Sequence, residues 1–231
     1  MASSEALQLH KDRLSAEELN LQDPYVSSSL SLFAIHNVVR RNLASCAEHA
    51  KTVTGSNVAP FITYAKYTLH VTGDQLESVE KIWFPVFSEY DSRFSAQTMA
   101  HAPLKEKVAL LNEMLTTENT LESNLPTKIA DTFTELRNEI EVQYDIEEDL
   151  SNCLGRRVPL DKIKAMEKQQ EERRKADVKT YGHLWTAVYM LRSLNPKERA
   201  IFPPGIPKFV ASGMLTAGAM QFRKYVSSLF D

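Results

Sequence analysis

Residues 57–85 read NVAPFITYAKYTLHVTGDQLESVEKIWFP, and the period of their apolar side chains decides the fold. Ile62, Ala65, Leu69, Thr72, Leu76, Val79 and Trp83 follow one another at alternating steps of three and four, which on a 3.6-residue turn is one continuous stripe. Pro60 falls in the first turn, where a missing N–H costs little, and Pro85 marks the end. The spacing predicts a helix from about Asn57 to Phe84, with Gly73 as a bend or a close contact. An amphipathic helix of this length needs other helices to cover its stripe.

The flanking sequence supplies them. A first helix, Ser28 to Val53, carries the seam Leu32, His36, Val39, Leu43, Cys46 and Ala50, and Gly55-Ser56 ends it. A third, Ser95 to Glu118, aligns His101, Leu104, Val108, Leu111 and Leu115, and Pro103 implies a late start or a kink. A fourth, Thr127 to Cys153, runs Ile129, Phe133, Leu136 and Ile140, then Gln143 or Tyr144, then Glu147 or Glu148. Four long helices joined by short turns make the expected fold all-α, an up-down-up-down four-helix bundle over residues 26–153. Residues 1–25 read as a polar arm with one short helix at Ser15 to Glu18. Residues 154–231 read as a C-terminal helical extension packed on the bundle within one domain. Its charged run from Glu167 to Lys175 is a solvated face, and a proline-rich connector, Asn195 to Pro207, leads to a last helix near Phe209 to Leu229.

Composition narrows the function classes. With 43% apolar and 25% charged residues among 231, the chain is an ordinary globular one. A net charge of −3 gives no support to nucleic acid or anionic membrane as partners. No uninterrupted apolar run is long enough to span a bilayer, and the N-terminus lacks a secretory pattern, so no membrane insertion and a cytoplasmic location are expected. The two cysteines, Cys46 and Cys153, are expected to be reduced thiols. No phosphate-binding glycine loop and no nucleophile elbow occurs.

The chemically informative positions are those where the seams carry titratable groups: His36, Glu80, His101, and the run Gln143, Tyr144, Glu147 and Glu148. Burying such groups unpaired costs several kcal/mol. In an antiparallel bundle they fall at similar heights, so they are expected to meet in one polar layer.

Four short motifs carry a resemblance to the hemerythrin-like (HHE-type) family, particularly its longer fungal members: His36-Asn37, Glu80-Lys81-Ile82-Trp83-Phe84-Pro85, Met99-Ala100-His101, and Tyr144-Asp145-Ile146-Glu147-Glu148. The proline-rich tail adds to it. The resemblance implies a bundle that binds two irons through five histidines and two carboxylates. By it, His36 and His101 match histidine ligands, Glu80 the second-helix carboxylate, and Glu148 or Asp149 that of the fourth helix. The other ligand histidines would stand near Gln75 or Leu76, at Lys105 and near Tyr144, and none is histidine. An ammonium at Lys105 repels iron and leucine cannot ligate it. The resemblance therefore points to a degenerate site with no metal and no cofactor.

The expected function is a metal-independent small-molecule-binding protein, most concretely a non-redox enzyme. It would isomerise, cyclise or eliminate a small hydrophobic substrate by proton transfer, and the fungal setting that the tail resemblance implies points to natural-product biosynthesis. The candidate acids and bases are His36, Glu80, His101, Lys105, Tyr144 and Glu148. Burial is expected to lower the lysine pKa and raise the carboxylate pKa. Phe33, Leu76, Trp83, Phe133 and Ile140 are the candidate walls, with His70 higher in the cavity. The alternatives are a scaffold or interaction protein with a vestigial site, and residual binding or sensing of a single metal ion.

Overall fold

The computed structural model describes residues 19–115 and 125–201, with Gly213 and Leu215 beyond them. The expected arm helix at Ser15 to Glu18, most of the proline-rich connector and nearly all of the last helix lie outside the described residues. Among those described, every regular element is helical, and no helix is long and apolar enough to cross a membrane.

Helix α1 spans Pro24–Ala50. Asp23 caps it, its carboxylate accepting from the Tyr25 N–H at 3.0 Å, with Pro24 pre-set at the first helical position. The pair Asp23-Pro24 is thus a helix start rather than the end of an arm, which is why α1 begins before Ser28. Helix α2, Val58–Ser78, continues through a π-helical turn, Val79–Trp83, into the short α3, Phe84–Phe87. Pro85 does not end the helix. Its missing N–H and its ring fall against the widened turn, where the backbone ladder is already broken. Gly73 is no close contact either, because a Cβ there would lie 3.8 Å from Val108.

Helix α4 is Arg93–Met114, with Pro103 inside it, and α5 is Leu125–Leu154. After these come α6, Leu160–Tyr181, α7, His183–Ser193, and α8, Pro196–Ile201. The packing forms a ring. Helix α1 touches α2 and α5, and α4 touches the same two. Such adjacency is compatible with up-down-up-down order. Helix α6 lies against α1 and the π turn, and α7 against α1 and α6.

Two apolar clusters fill the ring. The larger is built on Leu43, Leu69, Leu76, Leu111, Phe133 and Ile140, and the smaller on Val79, Phe84, Phe87, Phe94, Leu150 and Leu154. The chain crosses from one cluster to the other between Leu76 and Val79, between Phe94 and Leu104, and between Tyr144 and Leu150, with Glu80, His101 and Glu147 at or beside these crossings.

Candidate functional site

The crossing points are a layer of charged side chains. Three helices each contribute residues four apart, which share a helix face. They are His36 and Arg40 on α1, His101 and Lys105 on α4, and the two pairs Gln143/Glu147 and Tyr144/Glu148 on α5. The π turn adds Glu80. His36, His101 and Tyr144 are fully buried, and Glu147 is 2% exposed.

Glu147 stands at the centre. Its Oε1 meets His101 Nε2 at 2.7 Å and accepts from the Gln143 amide at 2.8 Å. Its Oε2 lies 3.6 Å from His36 Nε2, too far for a hydrogen bond. The outer nitrogens of both rings face further carboxylates, His36 Nδ1 on Glu148 at 2.9 Å and His101 Nδ1 on Glu80 at 3.1 Å. Lys105 Nζ donates to Glu80, and Arg40 Nη1 donates to Glu148 at 2.7 Å. The His36 ring stacks on Tyr144, centroids 3.6 Å apart.

Charge accounts for this pattern. Arg40 is shared by Glu148, Glu141 and Asp145, and Lys105 pairs with Glu80, so Glu147 is the carboxylate of the layer that meets only imidazoles and an amide among the described residues. His101 has a carboxylate oxygen within hydrogen-bond distance of each ring nitrogen. Burial works to raise the Glu148 pKa, but the His36 hydrogen bond and charge together with Arg40 outweigh it and bring it below the usual carboxylate value. Burial, reinforced by Glu147, drives the Tyr144 phenol well above its usual value. Three buried atoms in this layer have no hydrogen-bond partner: His36 Nε2, Glu147 Oε2 and Tyr144 Oη. A cavity of about 40 Å³ adjoins Glu147, walled by Phe84, Phe94, Trp83 and Leu32. It has room for water or for one end of a small molecule.

Xanthocillin biosynthesis cluster protein F of Aspergillus fumigatus is 62% identical to this chain over 228 residues, covering 96% of the chain and 100% of that protein. The chain belongs to the family of that protein. No protein-family model matches it, and no solved structure does. The match runs the length of both chains, so it takes in α6 to α8 as well as the ring helices.

Within this family member, six sequence-derived catalytic candidates come together: His36, Glu80, His101, Lys105, Tyr144 and Glu148. The expected walls do not. Leu76, Phe133 and Ile140 are sealed in the larger core cluster, and Phe33 packs with Val26 and Leu30 in a third. His70 faces outward to α6, its Nε2 3.2 Å from Asp177 Oδ1. Of these walls only Trp83 borders the cavity beside Glu147. Lys105 is at the rim, its side chain 40% exposed, and it pairs with the more buried Glu80 from the outside. The expected rise in carboxylate pKa is reversed at Glu148 by His36 and Arg40.

Sequence reasoning missed Arg40, which falls one residue past the seam position Val39, and it did not single out Glu147 over Glu148. The i, i+4 spacing of Arg40 from His36 was the available signal. The paired-iron group implied by the hemerythrin-like resemblance does not fit these donors. Glu80 and Glu148 are each engaged by a cation, and both His101 nitrogens face carboxylates. No group of three or more His, Cys, Asp or Glu among the described residues is arranged to hold a metal ion.

Proposed function

We propose that this protein is a metal-independent acid–base catalyst of a small-molecule step in fungal secondary metabolism, built on a hemerythrin-like four-helix bundle whose metal layer has become a proton-transfer layer. The observation that carries the reading is the trio of orphaned atoms, His36 Nε2, Glu147 Oε2 and Tyr144 Oη, in a layer that is otherwise saturated. Each such atom costs about 1–3 kcal/mol; Glu147 borders the cavity directly, and a substrate entering there would meet it first, with His36 and Tyr144 behind it. The place in secondary metabolism rests on the relative, a xanthocillin biosynthesis cluster protein.

In this reading Glu148 accepts the His36 Nδ1–H and leaves the Nε2 lone pair free to take a proton from the substrate. The imidazolium that forms is stabilised by Glu148 on one side and Glu147 on the other. Return of that proton to another substrate atom completes an isomerisation, cyclisation or elimination without redox change. Tyr144, kept un-ionised by burial, supplies a neutral donor. The small cavity admits the reacting end of a hydrophobic molecule rather than the whole of a large one.

Replacing Glu147 with Gln in a fungal strain carrying the gene tests this. The product of the pathway is expected to fall at least about 100-fold, matching a gene deletion, while protein level is unchanged. Wild-type product from that variant overturns the catalytic reading and favours a scaffold, a role the small interior cavity also suits. Stoichiometric iron, zinc or manganese in the purified chain overturns metal independence.

A further inference from the structure

A second cavity, of about 140 Å³, lies outside the ring among α1, α2, α6 and α7. Leu32, Val71, Trp83 and Met190 give it apolar walls. Gln75 also lines it, is only 6% exposed, and has no hydrogen-bond partner among the described residues. The other polar wall groups are engaged. Trp83 Nε1 donates to Gln170 Oε1 at 3.3 Å and Tyr67 Oη to Thr186 at 3.1 Å. Asp74 pairs with Arg173, and Asp177 with His70. Arg174 is exposed at the rim, where its charge stays solvated.

The Gln75 carboxamide opens onto the apolar cavity and is free to hydrogen-bond a ligand there. We propose that this cavity binds a neutral, single-ring aromatic molecule bearing one hydroxyl group. The size is that of a cavity of about 150 Å³ known to hold benzene. The Trp83 and Tyr67 rings suit an aromatic face. Gln75 offers both a donor and an acceptor, matching a hydroxyl that does both. No unpaired buried charge lines the walls, so a neutral ligand avoids a desolvation cost. The inference is independent of the acid–base reading, although Trp83 and Leu32 also wall the cavity beside Glu147 and form a partition between the two spaces.

Phenol and toluene, nearly equal in size, are the probes, titrated into the full chain and followed by ligand-observed NMR and thermal melting. Phenol is expected to bind saturably at one site, with nuclear Overhauser contacts to Trp83 and Gln75. In Gln75→Leu the ratio of phenol to toluene affinity should fall about tenfold, the loss of one buried hydrogen bond. Val71→Trp, which fills the space, should abolish both. Three results overturn the proposal: no saturable phenol binding to the wild-type chain, contacts that map elsewhere, or an unchanged affinity ratio in Gln75→Leu. The contact map on the wild-type chain decides the matter even if Val71→Trp does not fold.

Discussion

Glu147 and Glu148 are neighbours in sequence with different work to do, because successive residues on a helix point about 100° apart. Glu148 turns toward α1, where His36 and Arg40 hold it ionised. Glu147 turns to the ring centre and lies between two imidazoles. The depressed Glu148 pKa has a definite consequence for stability. Because its folded value is below its unfolded one, its contribution is full above the ordinary carboxylate pKa and is lost as pH falls through the folded value. Urea unfolding from pH 7 to pH 3 should show stability dropping below about pH 4.5. Glu148→Gln should lose about 1–3 kcal/mol at pH 7 and flatten that drop, since charge-assisted hydrogen bonds to His36 and Arg40 are weakened while Arg40 keeps Glu141 and Asp145. An unchanged pH slope in the variant would assign the effect to another carboxylate.

At the level of elements, two breaks in helical regularity position the site. The π turn Val79–Trp83 sets Glu80 against His101 and Trp83 against both cavities. Such turns are rare and concentrate at functional positions. The other break is Gly182, at φ 89° and ψ 142°, which redirects the chain from α6 into α7 and so closes the outer cavity. A side chain there meets nothing within 4 Å, so the barrier to substitution is backbone strain rather than crowding. Gly182→Ala should destabilise by about 1–3 kcal/mol, read as a lowered Tm. An unchanged Tm would mean that the junction relaxes freely.

Across the molecule, the extension is wired into the polar layer. Glu198 of α8 accepts from Asn37 at 2.8 Å, from Arg41 through two nitrogens, and from the Asn195 N–H at 2.8 Å. Asn37 in turn accepts from Arg40, which holds Glu148. Burial alone would raise the Glu198 pKa, but Arg41 and the Asn195 N–H bring it below the usual value, so its contribution also fades as pH falls. Glu198→Ala should cost about 3 kcal/mol at neutral pH and speed limited proteolysis within residues 194–201. Unaltered proteolysis would show that α8 is held by other contacts.

The helices were readable from residues alone because a 3.6-residue period is a local property, and the stripes through Leu69 and Leu76 or Phe133 and Ile140 state it plainly. So was the existence of a polar layer, since His36, His101 and the glutamates interrupt apolar stripes at matching heights. The π turn was not readable, because Val79 to Trp83 keeps its apolar spacing while the backbone widens. Glu147 and Glu148 both continue the stripe from Tyr144, at steps of three and four, so the chain alone left the inward carboxylate open. Only the packing of α5 between α1 and α4 made that choice, by placing one carboxylate beside Arg40 and the other between two histidines. Tertiary structure likewise sealed Leu76, Phe133 and Ile140 into solid core and opened the larger cavity outside the ring, where Gln75 meets helices more than 90 residues away in the chain.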